Sequence, residues 1–247
     1  MNTVVIVATE DPASKFNVNS YFKNGLRTWE YWCKKNNVDL VVIDKLDKHT
    51  PKGKWMKPLV FDYVKEGKVA LVDADTMVKW DAPNFFDLYN DDEFCGVLDT
   101  DSIFWLHNSI TAYQKFFPEV KLDTSYYINS GVMLFSDKHK GFFNTLREFY
   151  LTNKEELDNW SVPNTGSDQT IINFLLQKEK VKQKMLPDPF NQFGLLRKDL
   201  LGHNWQTGDK TPFFIKTGYI WHFTGFAMET RVSLMQQFID QLGHYYA

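Results

Sequence analysis

Only two cysteines, Cys33 and Cys95, occur in 247 residues. That excludes a disulfide framework, and both thiols sit in apolar surroundings that read as buried, in a reducing, cytoplasmic setting. No apolar run approaches the roughly 20 residues that a membrane-spanning helix needs. The stretch Met1–Val7 lacks the basic n-region and small-residue cleavage site of a secretory signal. Charge of one sign is also missing: 28 Lys and Arg stand against 31 Asp and Glu, for a net charge of −3. This leaves no basic field for nucleic acid and no cationic face for anionic lipid. Glycine is absent where the first apolar run ends, at Thr9-Glu10-Asp11-Pro12, which excludes a glycine-rich phosphate loop there. No internal repeat, low-complexity tract or linker interrupts the chain, and its length suits one domain.

Aromatics, by contrast, are plentiful, with 21 Phe, 11 Tyr and 8 Trp. They serve a core, and near polar loops they also suit the C–H faces of a pyranose. Continuous apolar runs at Thr3–Thr9, Val38–Ile43 and Lys68–Val72 read as strands buried on both faces. Helices are expected from about Ser20 to Lys35 and from Trp55 to Lys65 between them. This alternation predicts an α/β domain with a mixed, mainly parallel sheet flanked by helices. Further on, Phe94–Leu98, Tyr127–Phe135, Val181–Met185 and Tyr219–Phe223 read as strands. Residues 137–151, 167–178 and 229–242 read as helices. Pro187–Thr211 has no clear period and is expected to be a long loop system. Its aromatics Phe190, Phe193 and Trp205, with Phe213 and Phe214, read as a core flap or dimer contact ahead of an acceptor wall.

The sharpest local feature is Val69-Ala70-Leu71-Val72-Asp73-Ala74-Asp75. An apolar strand ends abruptly in two carboxylates, at the strand end that borders the ligand crevice in open α/β sheets. Two such charges repel unless a cation or hydrogen-bond donors offset them. A divalent metal does so and also holds a diphosphate. The ordinary alternative is a capping Asp beside a solvated one, and a bare Asp-X-Asp is a weak motif. A phosphatase of the haloacid-dehalogenase type, with the first Asp as nucleophile, expects Thr or Val where Met77 stands and places the motif on its first strand.

Three more segments follow in order: Ile128-Asn129-Ser130-Gly131-Val132-Met133, Gly166-Ser167-Asp168-Gln169 with Asn173, and Trp221-His222-Phe223-Thr224-Gly225. Together with the acidic pair, over roughly residues 3–228, the set resembles the GT-A glycosyltransferases of the glycogenin and lipopolysaccharide galactosyltransferase family (family 8). The resemblance implies a single GT-A domain. Residues 1–100 would bind the nucleotide sugar, and residues 101–247 the acceptor, with the C-terminal metal-ligand segment.

It also implies roles for individual residues. Asp73, Asp75 and His222 would hold a divalent metal, manganese first and magnesium as competitor. The ordinary reading of His222 alone is a hydrogen-bonded core histidine, and Gly225 in family register favours the ligand. Asn129 and Gly131 would face the donor sugar or acceptor, and Asp168 and Gln169 the anomeric carbon, although Ser167 or Asp168 also suits a helix N-cap. Asp99 is a candidate for sugar hydroxyls or an exposed turn residue. Lys57 is a cation near the donor or a solvated helix lysine, and Thr9 a nucleotide-base contact or an ordinary strand-end threonine. One departure stands out: the family's lysine six places after the His is here Met228, leaving Lys216 or Arg231 to take its part. The implied partners are a nucleotide-sugar donor, a UDP-sugar ahead of others, and a glycan or other hydroxyl acceptor, with retention of configuration. The rivals are a non-catalytic carbohydrate-binding or scaffolding protein and a sugar nucleotidyltransferase. The missing glycine loop argues against the latter.

Overall fold

In the computed structural model, residues 1–9, 18–50, 52–100, 102–195, 197, 200 and 211–247 are described. Glu10-Asp11-Pro12 and Trp205 lie outside them. The first half runs β1 (Thr3–Val7), α1 (Asn19–Asn36), β2 (Asp39–Ile43), a 3-10 helix (Gly53–Leu59), α2 (Val60–Tyr63), β3 (Lys68–Asp73) and β4 (Thr76–Val78). Then follow β5 (Phe94–Leu98), α3 (Ile103–Tyr113), β6 (Ile128–Ser136), α4 (Lys140–Thr152), α5 (Lys154–Asp158), α6 (Asp168–Lys178) and β7 (Gln183–Leu186). The chain closes with α7 (Phe213–Thr217), β8 (Ile220–His222) and α8 (Met228–Leu242).

Six strands form one sheet in the order β2-β1-β3-β6-β5-β7. β1 is parallel to β2 and β3, β5 is parallel to β7, and β6 alone runs against its neighbours. This is the mixed, mainly parallel sheet of the GT-A fold. Because side chains alternate across the sheet, each apolar strand feeds two cores. Val4, Ile6, Ala70, Val72 and Leu134 pack with Trp29 and Trp32 of α1 and Phe238 of α8. Val5, Val7, Leu71, Met133 and Phe135 pack with Phe143 and Leu146 of α4 and Ile172 of α6. Each such large side chain, fully buried, contributes roughly 1.5–3 kcal/mol, so the sheet is stabilised from both faces.

One expectation needs correction, and one helix was not expected. The single helix expected over Trp55–Lys65 is a 3-10 turn followed by one α-turn. Pro58 lies inside it, where it has no N–H to give and its ring crowds the preceding turn. That tighter winding buries Lys57, which an exposed helix face would have left in solvent. And α3 lay unread, because Ile103-Phe104-Trp105-Leu106 presents no polar face to a 3.6-residue period.

Between β5 and β6 the register slips. Gly96 pairs with Met133, yet Val97 pairs with Asn129. Three residues of β6, Ser130 to Val132, are therefore extra against β5, a bulge of the kind that re-aims side chains next to active sites. Gly96 makes room, since a Cβ there would lie 2.8 Å from Ile128.

Candidate active site

β3 ends at Asp73, and the chain turns at once into β4, whose partner is β8. Thr76 pairs with His222, so this short antiparallel ribbon carries the imidazole to the acidic pair. His222 Nε2 lies 3.3 Å from Asp75 Oδ1 and 3.9 Å from Asp73 Oδ2. One ligand atom from each of the three residues falls within 4.8 Å of the others. Asn191 Oδ1 contacts His222 Nδ1 at 3.1 Å, and a proton held on Nδ1 by that contact would free Nε2 to serve as a metal ligand. Two carboxylates and an imidazole nitrogen converging in this way suit a divalent cation of the manganese or magnesium type. The β6 bulge is part of the same construction. A Cβ on Gly131 would meet His222 Cε1 at 2.0 Å, so the ring occupies the space a side chain would take. Gly131 thus serves by close packing against the histidine.

Cations already surround the carboxylates. Lys57 Nζ sits 2.9 Å from Asp73 Oδ1 and 2.8 Å from Asp168 Oδ2, and 3.2 Å from the carbonyl and hydroxyl of Ser130. Burial opposes its charge, but Asp168 and Asp73 outweigh burial and hold its pKa above the usual lysine range. Arg231, one turn into α8, places Nη2 3.3 Å from Asp75 Oδ2. Its Nε donates to the Phe223 carbonyl at 2.9 Å. Burial raises the Asp73 carboxyl. Asp75 is buried too, yet His222 and Arg231 overcome that and lower it to about 2. Asp168 is likewise held low, against burial, by Lys57.

These groups border a cleft of about 730 Å³ that runs from Thr9 past the acidic pair to Asp168 and Arg231. Thr9 Oγ1 is buried there without a hydrogen-bond partner among the described residues, pressed against Gly53, where a Cβ would lie 2.5 Å away. Arg231 lines the cleft and Lys216 does not.

Gln169, the next residue after Asp168, faces a second cavity of about 400 Å³. Its Nε2 donates to Asp99 Oδ2 at 2.8 Å, and its Oε1 accepts from Ser130 N at 3.0 Å. Asn129 Nδ2 also donates to Asp99 Oδ2, at 3.1 Å, while Asn129 Oδ1 accepts from Gly131 N and from Asn191 Nδ2. Asp99 and Asn129 therefore tie the bulge to the start of α6. Ser167 precedes α6 but does not cap it; its hydroxyl donates to Asp168 Oδ1 at 2.9 Å. Gly225, with φ of 78°, also lines this cavity. Of the loop aromatics, Phe193 lines the second cavity, whereas Phe190 packs on Tyr219 and Phe214 stacks on Phe238 in the core.

All eleven residues expected at the site border one or other cavity or touch a residue that does. Ser130, Asn191, Phe104 and Trp105 were not expected. Ser130 and Asn191 carried no sequence signal beyond their type, but Trp105, two residues into an apolar segment after Asp99, could have been picked out as an aromatic near a polar strand end.

No protein-family model matches the chain, and no curated protein does. Solved structures do. A glycosyltransferase involved in glycosylation of the major capsid of PBCV-1 aligns over 96% of this chain and 98% of its own, with a TM-score of 0.58 and 10% identity. The bifunctional glycosyltransferase WbbM aligns over 99% of this chain but 49% of its own, at 0.60 and 16%. The galactosyltransferase LgtC, solved with donor and acceptor sugar analogues, aligns over 96% of both chains, at 0.51 and 14%. At such identities the likeness is one of fold.

Proposed function

We propose that the chain is a metal-dependent glycosyltransferase that moves a sugar from a nucleotide-diphosphate sugar, a UDP-sugar in the first instance, to an acceptor hydroxyl. The observation that carries this reading is the convergence of Asp73, Asp75 and His222 within 4.8 Å beside a cleft of about 730 Å³ and close to a second cavity of about 400 Å³. In this reading residues 1–100 supply the nucleotide end through Thr9, Lys57 and the acidic pair. Residues 101–247 supply the sugar end, His222 and Arg231. The shared fold with glycosyltransferases supports it. A pure binding protein has no use for a metal-ligand set built in this way.

Asp73, Asp75 and His222 would hold manganese, or magnesium, which when bound neutralises charge growing on the diphosphate. Arg231 flanks Asp75 from the cleft side, and its planar fork suits a phosphate oxygen pair. It would take the part of the family lysine, whose place is Met228 here. Lys57 fixes Asp168 as a carboxylate beside the sugar end. Gln169 has both ends of its amide hydrogen-bonded, which orients it and disfavours its oxygen as a nucleophile. Front-face displacement with retention asks least of these residues. The anomeric C–O bond to the phosphate breaks, the acceptor oxygen bonds the same face, and its proton passes to the departing phosphate oxygen. In this reading Asp168 and Gln169, on the first turn of one helix, would steady the positive charge on the sugar ring.

The test is a panel of UDP-, GDP- and dTDP-sugars with manganese or EDTA, quantifying released nucleotide. Slow release from one donor, abolished by EDTA and by Asp75→Ala, is expected. Absence of metal-dependent release and of nucleotide binding with every donor would return the fold to a non-catalytic sugar binder.

A further inference from the structure

We infer that Arg231 and Lys57 make cation binding and diphosphate binding interdependent. Each occupies one oxygen of a metal-facing carboxylate, so a divalent ion binds firmly only together with a diphosphate. The coupling presupposes the metal-dependent transferase reading; what it adds is the part these two side chains play in it.

Each carboxylate of the acidic pair is divided between two partners. Asp75 turns Oδ1 to His222 Nε2, at 3.3 Å, and Oδ2 to Arg231 Nη2, also at 3.3 Å. Asp73 repeats the pattern, with Oδ2 3.9 Å from His222 Nε2 and Oδ1 2.9 Å from Lys57 Nζ. A divalent ion held by Asp73, Asp75 and His222 would therefore share both carboxylates with a resident cation. Like charges so placed oppose each other strongly where little water screens them.

Both cations are held in place. Lys57 is buried, and its Nζ is also bound by Asp168 Oδ2 at 2.8 Å and by the carbonyl and hydroxyl of Ser130. Arg231 is anchored through Nε to the Phe223 carbonyl, and its guanidinium carbon lies 5.3 Å from the centre of the Tyr21 ring. Asp73, Asp75 and Asp168, as carboxylates, bring three negative charges, and Lys57 and Arg231 return two positive ones. A single net negative charge is left among these five groups to meet the two on the ion. A diphosphate supplies the rest. It also meets the N–H groups of Arg231 that Phe223 and Asp75 do not use, on a side chain that lines the cleft together with Lys54. Each ligand thus removes the charge that opposes the other, and such a coupling is reciprocal.

The experiment measures the two ligands apart and together on the whole chain. Manganese alone is titrated by electron paramagnetic resonance. UDP, pyrophosphate and uridine are titrated by calorimetry, each with EDTA and with excess manganese. Manganese should tighten UDP and pyrophosphate by about tenfold or more and leave uridine unchanged. Direct contact between metal and phosphate adds to that tightening in every variant, so the discriminating reading is manganese alone. Arg231→Gln removes the charge and keeps an amide donor. It should bind manganese alone about threefold or more tightly than the unmodified chain, while the manganese effect on UDP shrinks by about tenfold. Arg231→Lys keeps the charge and should keep manganese alone weak. A side chain that only propped the fold would weaken manganese in both variants; that result, or unchanged manganese affinity in Arg231→Gln, overturns the inference. UDP and pyrophosphate affinities that ignore manganese in the unmodified chain overturn it whether or not the variants fold. Coupling to pyrophosphate without any binding of UDP sinks the nucleotide-sugar reading and leaves the coupling. Joint binding of manganese and UDP without the opposite change in Arg231→Gln sinks the coupling and leaves the transferase.

Discussion

Lys57 is the residue on which two buried carboxylates depend. Replacing it with Met would leave Asp73 and Asp168 facing each other without the ammonium, and breaking a buried ion pair in this way costs about 3–5 kcal/mol. Urea unfolding of Lys57→Met should show a loss of that size, with manganese recovering part of it by taking over Asp73. A loss below about 1 kcal/mol, the value of a surface pair, would mean that the lysine is solvated after all. Gly131 acts by absence. Its missing Cβ is the room in which the His222 ring stands, so Gly131→Ala should displace the imidazole and lower manganese affinity by roughly 10–100-fold, as loss of a ligand-orienting contact does. Manganese titration followed by electron paramagnetic resonance would measure this, with the far-ultraviolet spectrum reporting that the fold persists. Burial raises both Cys33 and Cys95 to about 12. Neither thiol should react with a disulfide reagent until denaturant is added.

Among the elements, those with long uniform runs were legible in the sequence. β1, β3 and β6 were read because four or more consecutive buried apolar residues leave little alternative to a central strand. α8 and α4 were read from their periodic apolar faces. What escaped was decided by contacts remote in sequence. β4 has three residues, too few for a period, and exists because it pairs with β8, itself read from Tyr219–Phe223. The 3-10 turn at Gly53–Leu59 was hidden by an apolar spacing that an α-helix shares. The site followed the same rule: Asp73, Asp75 and His222 could be named from strand ends, whereas the bulge that seats His222 needs the β5–β6 register. At the junction of β6 and α4, Ser136 and His139 form a reciprocal cap, and burial lowers the His139 pKa. As pH falls through about 6.5, the ordinary histidine value, the unfolded chain takes a proton that folded His139 refuses, so stability falls toward acid. His139→Gln should flatten the urea-stability profile between about pH 7 and pH 5. An unchanged slope would assign it to another group.

For the molecule as a whole, the site exists only when both halves of the chain are in place. Asp73 and Asp75 come from β3 and its turn, Asp168 from α6, His222 from β8 and Arg231 from α8. Helix α8 packs along α1, while β8 is joined to the first half through β4. A ligand that bridges Asp75, His222 and Arg231 therefore binds only the completed fold, and its binding energy adds to global stability. At a free concentration about 100 times its dissociation constant, such a ligand stabilises by roughly 2.7 kcal/mol. For a domain of this size each kcal/mol moves the melting temperature by about 2–4 °C. Manganese and UDP together should therefore raise it by about 5–11 °C, and EDTA or Asp75→Ala should remove the rise. Calorimetry or dye-monitored melting would check this. A full shift with UDP alone, insensitive to EDTA, would show that Lys57, Lys54 and Arg231 carry the diphosphate without a metal. The acidic pair would then serve to hold those cations in place.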